Sequence, residues 1–197
     1  MAKNSTKAKK EEIAEEKIDW KKELVSTLLY LVFVCAAVFI ILTYVGQRTV
    51  VNGPSMCDTL YDGENLIMDK ISYRIHDPKR FDIVIFPGPE ENGESPYFIK
   101  RVIGLPGETV QIQDGEVYIN GEELTEDTYG ITDYIDEAGI AEQAFTLGDE
   151  EYFCLGDNRP VSFDSRYEEV GPVERSEIVG KVWIRIWPLN KFGNVDK

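Results

Sequence analysis

The sequence predicts a mainly β protein, in which a single N-terminal transmembrane helix precedes an antiparallel β domain. Two observations predict this fold class. One long uncharged apolar run lies near the N-terminus, and the rest of the chain alternates apolar and polar residues in short runs that end at glycine or proline. No helical period of useful length appears between residues 50 and 190, which favours an antiparallel β domain.

The apolar run, residues 24–45, contains 22 residues without a charge. At 1.5 Å per residue it forms a helix of about 33 Å, which is long enough to cross a bilayer. No small-residue cleavage pattern follows the run, so we expect the helix to stay attached as an anchor.

The charges on either side of this run predict its orientation. Residues 1–23 contain seven lysines, whereas only Arg48 closely follows the run. Because basic residues near a membrane span are retained in the cytoplasm, we expect residues 1–23 to be a cytoplasmic tail and residues 46–197 to lie outside the cytoplasm. The sequence therefore predicts a single-pass protein of the cell membrane.

The composition of the domain limits its partners. Without the seven basic and six acidic residues of the tail, 14 basic and 30 acidic side chains remain, a net charge of −16, which argues against nucleic acid as a partner. His76 is the only histidine and no paired-cysteine motif is present, so we expect no metal site and no cofactor. Cys57 and Cys154 can form a disulfide or remain buried free thiols, and the sequence favours free thiols.

Strands are predicted wherever short alternating runs end at turn residues. These runs are 64–75, 81–88, 108–124, 151–155 and 180–187. Within 108–124, the pairs Asp114-Gly115 and Asn120-Gly121 are turn signals that predict a hairpin or meander. Residues 125–150 are acidic and weakly patterned, and we interpret them as an insertion or rim segment of the domain.

A lysine interrupts the apolar run in residues 95–108, SPYFIKRVIGLPGE. With a period of two, Lys100 and Arg101 point to opposite faces, so each face carries one cation. A buried Lys100 would have a depressed pKa and could act as a base. The alternative is an edge strand whose cationic side chains reach water, and this stretch taken alone favours that alternative.

Ser55 lies in a turn rich in glycine and proline, ten residues after the apolar run. Ten extended residues span at most about 35 Å, so the hydroxyl must lie near the bilayer. A serine nucleophile needs a base, and His76 is interpreted as a solvated surface side chain. A Ser-Lys pair remains, and Lys100 fits the need for a neutral lysine better than Lys181 does. The alternative is a serine that only forms the turn.

Dense polar side chains fill residues 155–171, LGDNRPVSFDSRYEEVG. They can form an internal hydrogen-bonded network that positions other groups. Asp164 and Arg166 can pair as ions, and either Ser162 or Ser165 can hydrogen-bond a neutral lysine amine.

Four motifs, in this order after an N-terminal anchor, resemble those of the bacterial type I signal peptidases: GPSMCDTL, FDIVIFPGP, YFIKRVIGLPGETV and GDNRPVSFDSR. The resemblance covers about residues 50 to 190. It implies the β fold of that family and a membrane-bound serine endopeptidase that removes signal peptides from exported preproteins, with no metal or cofactor.

The resemblance also implies roles for single residues. Ser55 is similar to the family's nucleophile and Lys100 to its general base. Ser162 would orient the lysine, and Asp164 with Arg166 would form a supporting pair. The polar loop supplies the supporting residues, which are Asp157, Asn158, Ser162, Asp164 and Arg166.

The substrate would lie extended along a strand edge, with small side chains in shallow pockets lined by Met56 and Ile99. Two positions depart from the family pattern: Asp58 stands where proline is usual, and Gly53 where some members have serine. We therefore expect backbone N–H groups at Gly53 and Ser55 to stabilise the oxyanion.

One alternative function stays open at this point. A non-catalytic, membrane-anchored β module that binds extended peptides would need no perturbed lysine. It predicts that Ser55 and Lys100 can be replaced by alanine without loss of function.

Overall fold

The computed structural model describes residues 20–40, 46–90, 92–130 and 134–195. The chain forms two compact units, which divide after residue 41. The first unit contains one long helix, and the second is mainly β.

The N-terminal helix, α1, extends over Trp20–Ile40. Its residues Trp20–Phe39 have a mean hydropathy of 1.9 and none is buried within the protein, so the helix is long and apolar enough to cross a membrane. It begins four residues before the predicted start at Leu24, and residues 41–45 of the prediction lie outside the described residues.

The second unit consists of antiparallel strands, which confirms the predicted fold class. The strands are β1 Gly46–Val50, β2 Asn65–Asp69, β3 Ile83–Pro87, β4 Tyr97–Gly104, β5 Thr109–Gln113, β6 Glu116–Ile119, β7 Glu122–Glu123, β8 Phe145–Thr146, β9 Glu151–Leu155, β10 Val173–Glu174, β11 Gly180–Trp187 and β12 Gly193–Asn194. An eight-stranded sheet has the order β1, β2, β11, β3, β4, β9, β10, and β12 pairs with β11. A four-stranded sheet has the order β7, β6, β5, β8.

The meander predicted around β5 and β6 is present. Its two turns contain Asp114, Gly115, Asn120 and Gly121, whose φ angles are all positive, between 52° and 84°. Two successive residues with positive φ are the requirement of the tight hairpin turn whose twist matches that of the strands, and Asp-Gly and Asn-Gly satisfy it with little strain.

The predicted strand 64–75 is shorter than expected, because the chain turns after Asp69. The Asp69 carboxylate accepts hydrogen bonds from the N–H groups of Ile71 and Ser72, at 2.8 and 3.0 Å, and a short helix, α2, follows over Ser72–Ile75. Such a side-chain bond to nearby backbone offers the chain an alternative to the sheet. Strand β1, which the sequence did not predict, pairs along the whole of β2.

The acidic segment 125–150 contributes to the core through separated apolar residues. Ile135, Ala141 and Leu147 are buried in a cluster with Ile103 of β4 and other side chains from both sheets. Regular structure within the described part of the segment is limited to β8 and a single 3₁₀ turn, Gly139–Glu142.

Strand β4 lies inside the larger sheet, between β3 and β9. The expectation from this stretch alone, that the cationic side chains of β4 reach water, is wrong. Both of its cations are buried, with 3% of Lys100 and 1% of Arg101 exposed. The two side chains still point to opposite faces of the sheet, as the period of two predicts.

Candidate active site

The turn that carries Ser55 follows β1 and is held from both ends. Met56 and Leu60 are buried in the core, and the Leu60 N–H donates to the Met56 carbonyl at 2.7 Å. Gly53 has a φ of +83°, in the left-handed region that favours glycine, and its N–H donates to the Asp62 carboxylate at 2.8 Å. The hydroxyl is thus presented on a fixed turn, although Asp58 stands in place of the family's proline.

Lys100 makes no hydrogen bond and no ion pair with any residue that the structure describes, although it is almost fully buried. Burial lowers its pKa from 10.5 to about 8. Asp164 opposes this shift and Arg166 adds to it. At a pKa of about 8, roughly one lysine in eleven is a neutral amine at pH 7, against roughly one in 2,500 for a free lysine. The lysine is therefore suited to accept a proton.

The Phe98 ring faces the same amine, with its centroid 5.2 Å from Nζ. A cation above an aromatic ring gains about 0.5 to 1 kcal/mol, which would raise the pKa by less than one unit. The loss of water around Nζ has the opposite sign and is the larger effect, because the pKa falls.

Ser55 and Lys100 line one cleft, with a volume of about 210 Å³. Gly53, Met56 and Ile99 line it as well, so the structure brings together the predicted nucleophile, base, substrate-binding and oxyanion residues. The rest of the wall includes aromatic and aliphatic side chains that were not predicted, among them Tyr97, Phe98, Val161 and Phe163.

Ser162 is also buried, with 2% exposed, and its hydroxyl has no hydrogen-bond partner among the described residues. A β-carbon on Gly156 would collide both with this hydroxyl and with the Ser55 carbonyl oxygen, so glycine is required there. Ser165, the other serine considered for the lysine, instead accepts a hydrogen bond from the Cys154 N–H at 3.0 Å.

No hydrogen bond joins Ser55, Lys100 and Ser162 in the described structure. The bond from Ser162 to the lysine, which the resemblance implies, is therefore not formed here. Catalytic hydrogen bonds are often long in unliganded enzymes and shorten when substrate binds.

The predicted ion pair braces the loop around Ser162. Arg166 Nε and the Asp164 carboxylate are 2.8 Å apart, and both side chains are buried. Asp164 also accepts a hydrogen bond from the Gly156 N–H at 3.0 Å. Arg166 donates to the carbonyls of Ser162 and Arg159, at 2.9 and 2.8 Å, which holds the two ends of the short 3₁₀ turn Arg159–Val161.

Asn158 and Asp157 connect this loop to the Ser55 turn. The Asn158 N–H donates to the Ser55 carbonyl at 3.0 Å, and its side-chain amide donates to the Pro54 carbonyl at 3.1 Å. Asp157 accepts a hydrogen bond from the Thr59 hydroxyl at 2.5 Å. Direct hydrogen bonds therefore fix the Ser55 turn and the polar loop relative to each other.

Sequence reasoning missed the partner of Asp157, which is Arg101. The guanidinium binds both carboxylate oxygens, at 2.8 and 2.7 Å, and its Cζ lies 3.7 Å from the centroid of the Tyr129 ring. The adjacent cation in the apolar run was the available signal, but nothing local indicates a partner 56 residues away.

The remaining polar candidates are the histidine and the two cysteines of the β domain. His76 is exposed at the end of α2, as predicted for a surface imidazole. Cys57 and Cys154 are free thiols, and burial raises the pKa of Cys154. Among the described residues, no group of three or more histidine, cysteine or acidic side chains is placed to hold a metal ion.

Comparisons with known proteins agree on one family. Residues 24–187 match the family model described as signal peptidase, peptidase S26. A probable signal peptidase I-2 of Synechocystis sp. is 38% identical over 159 residues, covering 77% of this chain and 67% of the relative. Signal peptidase I V of Bacillus subtilis is 38% identical over 141 residues, covering 67% of this chain and 80% of the relative. A crystal structure of signal peptidase I from Enterococcus faecalis is 39% identical, covers 54% of this chain and 97% of that chain, and gives a TM-score of 0.43.

Proposed function

Because this chain belongs to the signal peptidase family, peptidase S26, we propose that Ser55 and Lys100 are the catalytic pair with which it cleaves signal peptides. Members of this family are serine endopeptidases, so the chain is an enzyme that hydrolyses peptide bonds, and this weighs against a non-catalytic binding module. One observation supports the pair most directly. Lys100 is buried without an anionic partner in the wall of the cleft that Ser55 also lines.

The preprotein would bind as an extended strand beside β4. Strand β9 pairs with β4 only from Arg101 onward, so no described strand pairs with Tyr97–Lys100 on that side. An extended peptide can add its backbone hydrogen bonds to such an edge. Met56 and Ile99 would form the apolar walls, and the small cleft favours small side chains before the cut.

The reaction follows from the two side chains. The Ser55 hydroxyl attacks the scissile carbonyl while neutral Lys100 accepts its proton. Lys100 then returns this proton to the leaving amine, and the acyl group remains on Ser55. A water molecule, deprotonated by the same amine, hydrolyses the ester and releases the signal peptide.

The oxyanion of the tetrahedral intermediate would accept a hydrogen bond from the Ser55 N–H, which donates to no other described residue. The Gly53 N–H already donates to Asp62, so its first role is to hold the turn. A preorganised donor at this position typically contributes about two to three powers of ten to kcat.

Helix α1 would anchor the enzyme in the cell membrane, with residues 1–23 in the cytoplasm and the β domain outside. Its length and mean hydropathy support a span, and the lysines before it support the orientation. The partners would then be the bilayer and preproteins that carry signal peptides.

The decisive experiment is cleavage of a secretory precursor with an A-x-A site by the full chain in lipid vesicles. Wild type, Ser55→Ala and Ser176→Ala are compared side by side, since Ser176 is an exposed serine in a different part of the domain. We expect cleavage after A-x-A by wild type and Ser176→Ala, and none by Ser55→Ala. Equal cleavage by all three would remove Ser55 from the mechanism.

A further inference from the structure

Three aromatic rings extend from Lys100 toward the surface. The Phe98 ring, which faces the amine, packs against Phe163 with centroids 6.1 Å apart and planes at 78°. Phe163 packs in turn against Tyr167, with centroids 4.8 Å apart. We call these three side chains the aromatic row.

The outer end of the row is attached to the acidic segment 125–150. The Tyr167 hydroxyl donates to the Glu137 carboxylate at 2.7 Å. The backbones are joined too, because Arg166 donates to the Glu137 carbonyl at 3.2 Å and the Ile140 N–H donates to the Arg166 carbonyl at 2.8 Å. The segment thus contacts the site through a chain of packed rings.

The backbone next to the middle ring is held by hydrogen bonds. Phe163 lies between Ser162 and Asp164, which are both buried, and the Ser162 carbonyl accepts a hydrogen bond from Arg166 at 2.9 Å. The residue is 39% exposed, it lines the cleft, and its ring packs on the half-buried Phe98. Its removal would open a path for water to the Phe98 face and to the lysine behind it.

We propose that Phe163 is a positioning residue of this site: it seats the Phe98 ring over Lys100 and keeps water from the amine, and the Tyr167–Glu137 hydrogen bond holds Phe163 in place. This inference rests on Lys100 being the general base. It also gives the acidic segment 125–150 a structural role: Glu137 holds Tyr167, and through Phe163 it helps to keep water away from Lys100.

The charged and titratable groups that influence the titration of Lys100 stay the same when Phe163 is replaced. They are Asp164 and Arg166 on the loop, Cys154 on β9 and, bound to Arg101, Asp157. A change in the titration of Lys100 would therefore report hydration of the amine rather than a new charge nearby.

The test is the pH profile of kcat/KM for precursor cleavage by the full chain in vesicles. In wild type, activity should rise with pH along an acid limb set by Lys100. We expect Phe163→Ala to move this limb upward by roughly one pH unit, so that activity at pH 7 falls about tenfold. Phe163→Tyr, which keeps the ring, should restore the wild-type limb.

Two further variants test the proposal without changing Phe163, in case Phe163→Ala does not fold. Tyr167→Phe and Glu137→Ala remove only the outer hydrogen bond and should move the limb in the same direction by less. Phe145→Leu is the matched control, because Phe145 forms an edge-to-face pair with Phe153 that does not belong to the row. Its limb should stay where it is in wild type.

The outcomes distinguish a failure of the aromatic row from a failure of Lys100 as the general base. An unmoved limb in Phe163→Ala and Tyr167→Phe would overturn the role of the row and leave the Ser-Lys pair intact. A higher KM with an unmoved limb would make Phe163 a substrate contact instead. A wild-type profile without an acid limb would instead contradict Lys100 as the base.

Discussion

The two faces of strand β4 bury neighbouring cations in opposite ways. On one face, Arg101 binds both oxygens of Asp157, donates to the Phe81 carbonyl at 2.8 Å and stacks on Tyr129. On the other face, Lys100 is buried to nearly the same extent but has no hydrogen-bond or ion-pair partner among the described residues. The comparison shows that burial does not by itself define a catalytic group, since the absence of a partner distinguishes the two.

The face of β4 that has an anionic partner carries the arginine, and the face that has none carries the lysine. A guanidinium cannot lose its proton in a protein, so a buried arginine must be paired. A lysine ammonium can become neutral when it loses water, and the neutral amine is then a base. Exchanging the two residues would leave an unpaired charge on one face and an incomplete ion pair on the other.

The largest expected difference between the faces is in activity. Lys100→Met should lower kcat/KM for precursor cleavage by at least about a thousandfold, since a positioned general base contributes roughly 10² to 10⁴ and the described residues that line the cleft include no histidine or carboxylate. The measurement is cleavage rate at pH 8 in vesicles, with Lys191→Met as a control, because Lys191 is a surface lysine paired with Glu64. A loss below tenfold would remove Lys100 from the reaction.

The second difference is in stability, on the arginine face. Arg101→Met should lower the free energy of unfolding by about 3 to 5 kcal/mol, because it leaves Asp157 buried without its cation. Denaturant unfolding of the full chain measures this, and the double variant Arg101→Met, Asp157→Leu should recover much of the loss. Arg80→Met, at a partly exposed pair with Glu108, is the control. Equal losses at the two arginines would contradict the comparison.

On the lysine face the stability effect should have the opposite sign. Lys100→Met should raise the free energy of unfolding by up to about 3 kcal/mol at pH 7, because the lowered pKa means that the folded chain resists protonating Lys100. Between about pH 8 and 10.5 the unfolded chain binds the proton and the folded one does not, so wild-type stability rises with pH. The advantage of methionine should therefore shrink across this window. A destabilised Lys100→Met at pH 7 would show that the lysine has a partner in solution.

The smallest expected effect is at the histidine. His76→Ala should leave kcat/KM within about twofold of wild type, because the imidazole is exposed and follows the end of α2, outside the residues that line the cleft. The measurement is the same precursor assay across pH 6 to 9. Loss of cleavage in this variant would mean that the base is the His76 imidazole. The lack of a partner at Lys100 would then not indicate a catalytic role.

Local sequence signals predicted the elements whose geometry is local. Asp114-Gly115 and Asn120-Gly121 predicted the meander because each pair tolerates the positive φ angles that tight turns need. Strand β1 was missed, since a five-residue strand with half-exposed faces has no clear alternation. The contributions of Ile135 and Leu147 to the core were missed as well, because irregular backbone buries residues without a period.

The site was predicted by motif resemblance more than by pattern. The apolar run around Lys100 favoured an exposed edge strand when taken alone, and Val161 and Phe163, which line the same cleft as Lys100, lie more than 60 residues away in sequence. The same distance hid the pairing of Arg101 with Asp157 and the contact of Asn158 with the Ser55 turn. Contacts of this range depend on the complete fold.

The alternation along β4 also limits which changes in chain length this strand can accept. Inserting or deleting one residue between Phe98 and Lys100 would slip the strand by one position and turn each following side chain to the other face. An insertion would bring Lys100 to the position that Arg101 holds beside Asp157, and a deletion would turn Arg101, which cannot act as a base, to the catalytic face. We therefore expect homologous chains to vary in length in the loops around β4 and to keep its residue count between Tyr97 and Arg101 unchanged.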